Sequence, residues 1–163
     1  QFALEKAKSV AIDQPQCIVI GSDTMIYLSG EKIGKPGGTE DAKRILRLLA
    51  GKTHRICTGV ALVDGTGGPG LAVVEEVAVM MRDYSEEELD RYIARNESLD
   101  KAGAYSIQGE GRNLIESIQG DYLAAVGLPL RPIAAYLGSR GVALPSDVDR
   151  LYSEKPFPNW QSF

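Results

Sequence analysis

Two long β-rich segments joined by a glycine-rich loop constrain the fold of this 163-residue chain more than any other feature. The first is HRICTGVALVDG (residues 54–65) and the second is LAVVEEVAVMMRD (71–83), with GTGGPG (65–70) between them. This pattern predicts an antiparallel hairpin, in which every second residue of the second arm faces one side. Because strands alternate with helices elsewhere, we predict an α/β fold with a mixed β-sheet flanked by helices.

The other elements have clear boundary signals. A helical pattern covers residues 2–12, and CIVIGSDTMIYL (17–28) is typical of a strand that turns back at Ser29-Gly30. Thr39 is the expected N-cap of a second helix. Ser85 and Glu88 have the spacing of a capping box, and LPLRPIAAYL (128–137) predicts the last helix of the domain.

Composition excludes several classes of protein. The net charge is -4 and the sequence pI is about 5.1, without the clustered basic residues of a nucleic-acid-binding protein, so no nucleic-acid polymer is expected as a partner. No apolar run reaches the length of a membrane span, and no signal peptide is recognised, so no membrane is expected as a partner.

The cysteines and the histidine also limit the chemistry. Cys17 and Cys57 lie in apolar runs and are predicted to be buried free thiols, which favours a cytoplasmic protein. His54 is the only histidine, so a zinc site is disfavoured, and it is expected to cap a strand or lie on the surface.

The periodicity ends near Val142. We therefore divide the chain into a domain at residues 1–141 and a tail at 142–163, rich in proline and aromatic residues. Such a tail either packs on the domain or serves as a docking segment.

Three places in the sequence are candidates for chemistry. Asp23 follows an apolar run and is expected at the end of a buried strand, where α/β enzymes place ligands. A turn aspartate bonding the backbone is an equally good interpretation, and Thr24 is a weaker candidate.

Lys35, in IGKPGG, is either a solvated loop lysine or a phosphate contact, although the segment is not a P-loop. DKAGAYSIQG (100–109) is a long polar and glycine-rich loop that contains Lys101 and Gln108.

Four segments in order resemble one known family. IVIGSDTMIYLSGEKIGKP, EDAKRILRLLAGKTHRICTGVALV, DKAGAYSIQG and IQGDYLAAVGLPL look like the Maf family of nucleoside triphosphate pyrophosphatases, over residues 2–137. The resemblance implies a fold like that of inosine triphosphate pyrophosphatases. It also implies hydrolysis of dTTP, UTP or modified pyrimidine nucleotides to monophosphate and pyrophosphate. The family is named for an effect on septum formation, and its members are often dimers, so a homodimer is an expectation.

The resemblance also assigns roles by position. Asp23 matches the aspartate that binds metal or acts as the general base, and Lys6 and Lys35 match lysines that face the phosphates. Gln108 matches a glutamine near the nucleotide, and Thr24 matches the residue found in the dTTP/UTP subgroup. The implied cofactor is a divalent metal: magnesium is the natural ion, and manganese is the alternative.

Some features depart from the family pattern. Ser106 stands where the family usually has glycine, and the tail after Val142 is not part of the pattern. The family also opens with a strand and a Ser-x-x-Pro-Arg-Arg segment that this sequence does not contain. Three explanations stay open: a fragment, one half of a cleaved polypeptide, or a protein without catalysis. The last would be a non-catalytic nucleotide-binding or division-regulating module.

Overall fold

A five-stranded sheet forms the centre of the protein, in the order β2-β1-β3-β4-β5. The computed structural model describes residues 1–65 and 70–163. The strands are β1 Ile18–Leu28, β2 Glu31–Ile33, β3 Thr53–Asp64, β4 Leu71–Met81 and β5 Ile115–Gln119. The α-helices are α1 Phe2–Ala11, α2 Thr39–Leu49, α3 Glu86–Ile93, α4 Tyr122–Val126, α5 Leu130–Ser139 and α6 Val148–Glu154. Short 3₁₀ turns occupy Ala102–Ala104, Glu110–Leu114 and Trp160–Ser162.

The α/β fold with flanking helices is confirmed, but the sheet is not mixed. Each strand pairing in the described residues is antiparallel. The helix α2 connects β2 to β3, which run parallel to each other on opposite sides of β1. Because β1 separates them, the strand-helix-strand unit produces no neighbouring parallel pair, and the expectation of a mixed sheet was wrong on this point.

Both predicted hairpins are present. Strands β3 and β4 pair from Thr53 with Met80 to Leu62 with Leu71. Most of the expected glycine-rich loop between them, residues 66–69, lies outside the described residues. The turn between β1 and β2 has positive φ at Ser29 (52°) and Gly30 (89°), as a tight hairpin turn requires.

The two faces of the sheet carry different layers. Helix α1 packs so closely on one face that a Cβ at Gly21 would collide with the backbone of Ala3 and Ala7. The main core covers the opposite face, where Leu46, Val79 and other side chains of the sheet and of α2, α3 and α4 are buried. The alternation of β1 therefore points Asp23 towards α1 and points Thr24 towards the core side.

Helix boundaries follow the predicted signals with one shift. The α3 capping box is confirmed, because the Ser85 side chain accepts from the Glu88 N–H and the Glu88 side chain accepts from the Ser85 N–H. Thr39 is already the first helical residue of α2, whose N-cap is Gly38, so the predicted cap at Thr39 was wrong by one residue.

The predictions for His54 and the cysteine environments were wrong. His54 is 1% exposed inside β3, and its Nε2 lies 2.7 Å from the hydroxyl of Tyr105. Cys17 is exposed and Cys57 is half-buried, although both are free thiols as expected. Cys17 lies in the connection before β1, where solvent reaches it, whereas Cys57 lies in β3 and alternates with the buried residues Ile56 and Thr58.

The tail packs on the domain. Trp160 is 4% exposed, and its ring stacks on Tyr122 with a centroid distance of 5.3 Å and an interplanar angle of 11°. The division at residue 141 stays a prediction. Among residues 1–65 and 70–163, we find no helix with the length and apolar character that a membrane span requires.

Candidate active site

A cavity of about 400 Å³ lies along the edge of β1. Within the described ranges, β2 pairs with β1 only at Ile26–Leu28, so residues 18–25 form an open edge on that side. The cavity reaches both faces of β1 at this edge, and its walls come from α1, the loop after β2, the 100–108 segment and the end of α4. All five predicted site residues line it: Lys6, Asp23, Thr24, Lys35 and Gln108.

Asp23 lies in the middle of a strand. It pairs with Gly59 of β3, and β1 continues for five residues to Leu28, so the prediction that Asp23 ends its strand was wrong. The apolar run stops at Ser22 because Ser22, Asp23 and Thr24 border the cavity. Asp23 still reaches the cavity, across the open edge of the strand.

Helix α1 supplies the cation nearest to Asp23. The Lys6 Nζ lies 2.6 Å from Asp23 Oδ1 and 3.3 Å from the carbonyl oxygen of Ser22. The Lys6 side chain is 60% exposed and that of Asp23 is 24% exposed. A pair so open to solvent contributes roughly 0–1 kcal/mol, so Lys6 can exchange partners when an anion enters.

Hydroxyl groups join β1 to α4 beneath the cavity. Thr58 is fully buried and donates its proton to the carbonyl oxygen of Ala124 at 2.7 Å. The Thr24 and Thr58 oxygens are 2.9 Å apart, so Thr24 must donate to Thr58 and has only lone pairs left for a ligand. Ser22 donates to the carbonyl oxygen of Gly127 at 2.6 Å, which fixes the loop after α4.

The loops on the opposite wall bring further charges together. The Gly103 N–H donates to the carbonyl oxygen of Gly34, next to Lys35, and so ties the two loops to each other. Lys101 Nζ lies 2.7 Å from Asp100 Oδ2. This hydrogen bond is the main cause that lowers the pKa of Asp100, and the charge of Lys35 lowers it further.

Tyr105 and His54 support the wall that leads to Gln108. Tyr105 lines the cavity and is 4% exposed, while Gln108 lies exposed at its rim. Burial raises the pKa of Tyr105 and lowers the pKa of His54 to about 4, so this hydrogen-bonded pair is neutral near pH 7. It holds the wall in place without adding charge to the cavity.

The charges that line the cavity favour a bound anion with a cation beside it. Three lysines (6, 35 and 101) face two aspartates (23 and 100), which leaves one positive charge. The lysines come from three separate segments, so together they can surround an extended anion. No cluster of three or more His, Cys, Asp or Glu side chains with metal-binding geometry occurs in the described part of the chain.

Sequence reasoning missed several residues of this site. Ser22, Thr58, Asp100 and Tyr105 were not predicted as site residues. The signal for Thr58 was present, because it is in phase with the buried residues Ile56 and Val60 of β3. Asp100 has no such signal, since a short polar residue in a loop is usually structural. Ser22 has none either, because a single serine within a strand does not indicate a site.

Comparison with known proteins shows the family of this chain. A model of the Maf family, described as Maf-like protein, matches residues 1–140. The chain belongs to the Maf family. This confirms the resemblance drawn from the four sequence segments.

Similar Maf relatives bear one name, dTTP/UTP pyrophosphatase. The chain is 48% identical over 142 residues to the protein of Dictyoglomus thermophilum, covering 87% of this chain and 74% of that protein. It is 46% identical over 142 residues to the protein of Dictyoglomus turgidum, again covering 87% of this chain and 74% of that protein. It is 41% identical to the protein of Moorella thermoacetica, covering 86% of this chain and 73% of that protein. All five predicted site residues lie within the range matched by the Maf model.

Proposed function

We propose that this chain is a nucleoside triphosphate pyrophosphatase that hydrolyses dTTP, UTP or modified pyrimidine nucleotides to monophosphate and pyrophosphate. The observation that carries the proposal is the convergence of Lys6, Asp23, Thr24, Lys35 and Gln108 on one cavity. The names of the relatives support the reaction and the choice of dTTP and UTP.

Asp23 is assigned the central role in the reaction. Water attacks the α-phosphorus, the bond to the bridging oxygen breaks, and pyrophosphate leaves. Asp23 either takes the proton of the attacking water or holds the metal, and its carboxylate becomes available for either role when Lys6 turns to the phosphates.

The lysines offset the charge of the triphosphate. Lys6 and Lys35 bind phosphate oxygens, and Lys101 adds a third cation on the wall of Lys35. Because charge builds up on the leaving pyrophosphate, fixed cations at this place lower the barrier. Gln108 and Thr24 are assigned to the nucleotide, where the oriented Thr24 hydroxyl accepts a hydrogen bond.

The residues present fit a divalent metal that is shared with the substrate. Magnesium binds proteins through one or two carboxylates and takes its other ligands from phosphates and water. Asp23 meets this requirement, with Asp100 as the second carboxylate that lines the cavity. When bound, such an ion neutralises phosphate charge and polarises the reacting phosphoryl group. Magnesium is the proposed ion, and manganese is the alternative.

Replacement of Asp23 tests this proposal directly. Asp23→Asn keeps the volume of the side chain but removes the carboxylate that binds metal or takes the proton. We expect pyrophosphate release from dTTP and UTP with magnesium to fall by about 10²-fold or more, as for other general bases. The release is measured across a panel of purine and pyrimidine triphosphates, which also establishes the preferred base.

The matched control is Asp13→Asn, which changes an exposed aspartate outside the cavity and should leave the rate unchanged. Wild-type rates in Asp23→Asn, or no release from any triphosphate by the wild-type chain, would contradict the proposal. Triphosphate binding without turnover would instead indicate the non-catalytic module, which none of the relatives' names favours. Light scattering tests the expected homodimer.

A further inference from the structure

The C-terminal segment 157–163 contacts the wall of the cavity that carries Gln108. It lies beyond residues 1–140, the range matched by the Maf model. Asn159 Nδ2 donates to the carbonyl oxygen of Ile107 at 2.9 Å and to that of Gly109 at 3.2 Å. These two carbonyl groups flank Gln108 on either side. Since both partners are acceptors, the amide nitrogen of Asn159 must face them.

Buried aromatic packing holds Asn159 in this place. Its neighbour Trp160 is 4% exposed and stacks on Tyr122 of α4, and Tyr152 meets the Trp160 ring edge-on at 5.2 Å. Phe163 lies 4.3 Å from the Arg112 guanidinium, in the 3₁₀ turn that follows Gly109. The segment is therefore fixed both to α4 and to the turn that follows Gly109.

Gln108 itself depends on its backbone for position. Its side chain is exposed at the cavity rim, whereas the backbone on either side is bound by Asn159. A further bond from the Gly109 N–H to the Ser106 carbonyl oxygen is long, at 3.3 Å. The backbone next to these residues is also held by the Ser106 N–H on the Tyr92 hydroxyl at 3.0 Å and by the Glu110 N–H on Glu97 at 2.9 Å. Asn159 adds the bonds that reach the carbonyl groups directly before and after Gln108.

We propose that Asn159 is a positioning residue, which holds the backbone at 107–109 so that Gln108 faces the nucleotide. This rests on the proposed function, because it takes the cavity to be the nucleotide site. The C-terminal segment then sets the affinity of the site for its substrate, although no residue of the segment lines the cavity.

The variant Asn159→Asp tests this role. It preserves size but replaces the donor by a carboxylate that faces two carbonyl oxygens, so the loop should shift. We expect the Kd for a non-hydrolysable α,β-imido analogue of dUTP, measured by calorimetry, to rise about tenfold. In the turnover assay, KM should rise by a similar factor while kcat changes less than twofold. Gln161→Ala is the control: it removes a bond from Gln161 Nε2 to the Lys155 carbonyl oxygen, which does not involve the 107–109 loop, and should change neither value.

A double-mutant cycle with Gln108→Ala separates positioning from a general structural effect. If Asn159 acts through Gln108, Asn159→Asp should have little further effect on Kd in the Gln108→Ala background. An equal rise in Kd in both backgrounds, or an unchanged Kd in a folded Asn159→Asp protein, overturns the proposal. If the wild type binds the analogue but does not hydrolyse dTTP or UTP, only the proposed catalysis is refuted. The role of Asn159 is still tested, because the double-mutant cycle is measured as changes in Kd. Absence of binding overturns both.

Discussion

Gly103 is a residue at which the backbone of the cavity wall packs tightly against the core. Its φ is 74°, in the left-handed region, and a Cβ there would lie 2.8 Å from the Ile26 Cδ1 and 3.2 Å from the Tyr105 ring. Its N–H also holds the Gly34 carbonyl oxygen, beside Lys35. One residue without a side chain therefore lets two loops and the strand β1 meet at the site.

Substitution of Gly103 should reveal this crowding. Gly103→Ala introduces both an unfavourable backbone conformation and a steric overlap. Gly141→Ala is a close control, since Gly141 has a φ of 72° and open space around it. We expect Gly103→Ala to lower the free energy of unfolding by about 1–3 kcal/mol more than Gly141→Ala, the usual cost of overpacking. Urea denaturation measures the difference, and equal losses in the two variants would contradict the steric argument.

At the scale of elements, helix α3 is fixed by a cap at its start and holds the 100–109 loop near its end. The helix carries Tyr92, whose hydroxyl oxygen accepts from the Ser106 N–H at 3.0 Å. Burial raises the pKa of Tyr92 to about 12, so this hydroxyl stays protonated at ordinary pH. The start of α3 is fixed by the Ser85 cap, and the position of the loop depends in part on that start.

Removal of the cap should destabilise the protein. Ser85→Ala deletes the acceptor for the Glu88 N–H, and we expect a loss of about 1 kcal/mol in the free energy of unfolding. Ser9→Ala is the comparison, because Ser9 lies inside α1 and its hydroxyl bonds to the Lys6 carbonyl oxygen of the same helix. Alanine is the better helix former there, so that variant should be neutral or slightly more stable. Thermal and urea unfolding measure whether the free energy of unfolding falls in Ser85→Ala and stays the same or rises in Ser9→Ala.

For the whole molecule, one buried histidine makes stability depend on pH. The pKa of His54 is lowered from 6.5 to about 4 by burial, so the folded state binds fewer protons than the unfolded state between these values. Stability is therefore fully present above pH 6.5 and is lost as the pH falls towards 4. The loss due to this group is about 3 kcal/mol at pH 4.

The variant His54→Gln isolates this contribution. Glutamine does not titrate but can still bond to the Tyr105 hydroxyl. Urea denaturation at pH 7 and pH 4 should show a smaller acid loss in the variant, by about 3 kcal/mol. The carboxylates titrate in both proteins, so their effect cancels in the comparison. The same acid loss in both proteins would show that His54 is not the responsible group.

The fold was largely predictable because local patterns dictate it. The hairpins, the Ser85 capping box and the last helix of the domain all depend on neighbours within a few residues. The buried position of His54 was also predictable in principle, since it is in phase with Ile56 and Thr58 along β3. The mid-strand position of Asp23 was missed because an apolar run stops wherever a strand meets a polar cavity, whether or not the strand ends.

The residues of the candidate site were predictable from the sequence, but the hydrogen bonds that hold its loops in place were not. Asp23, Lys35 and Gln108 stand in recognisable motifs, and the structure brings them together. By contrast, the bonds from Asn159 to the loop join residues 52 and 50 positions apart, in a segment without periodicity. No local pattern specifies such a pairing, because the contact is decided by how Trp160 packs on Tyr122.

The hydrogen bond from Ser22 to Gly127 has a consequence for the order of assembly. It closes a segment of 105 residues, so one wall of the cavity is absent until nearly the whole domain has been synthesised. Contacts between residues so far apart in sequence form slowly, so this wall is completed after the local pairings of β1 with β2 and β3. A nascent chain released before Gly127 would have Asp23 and Lys35 but no complete cavity. The proposed binding of nucleotide therefore requires the finished fold, and a ligand of the cavity would favour that fold over partly folded states.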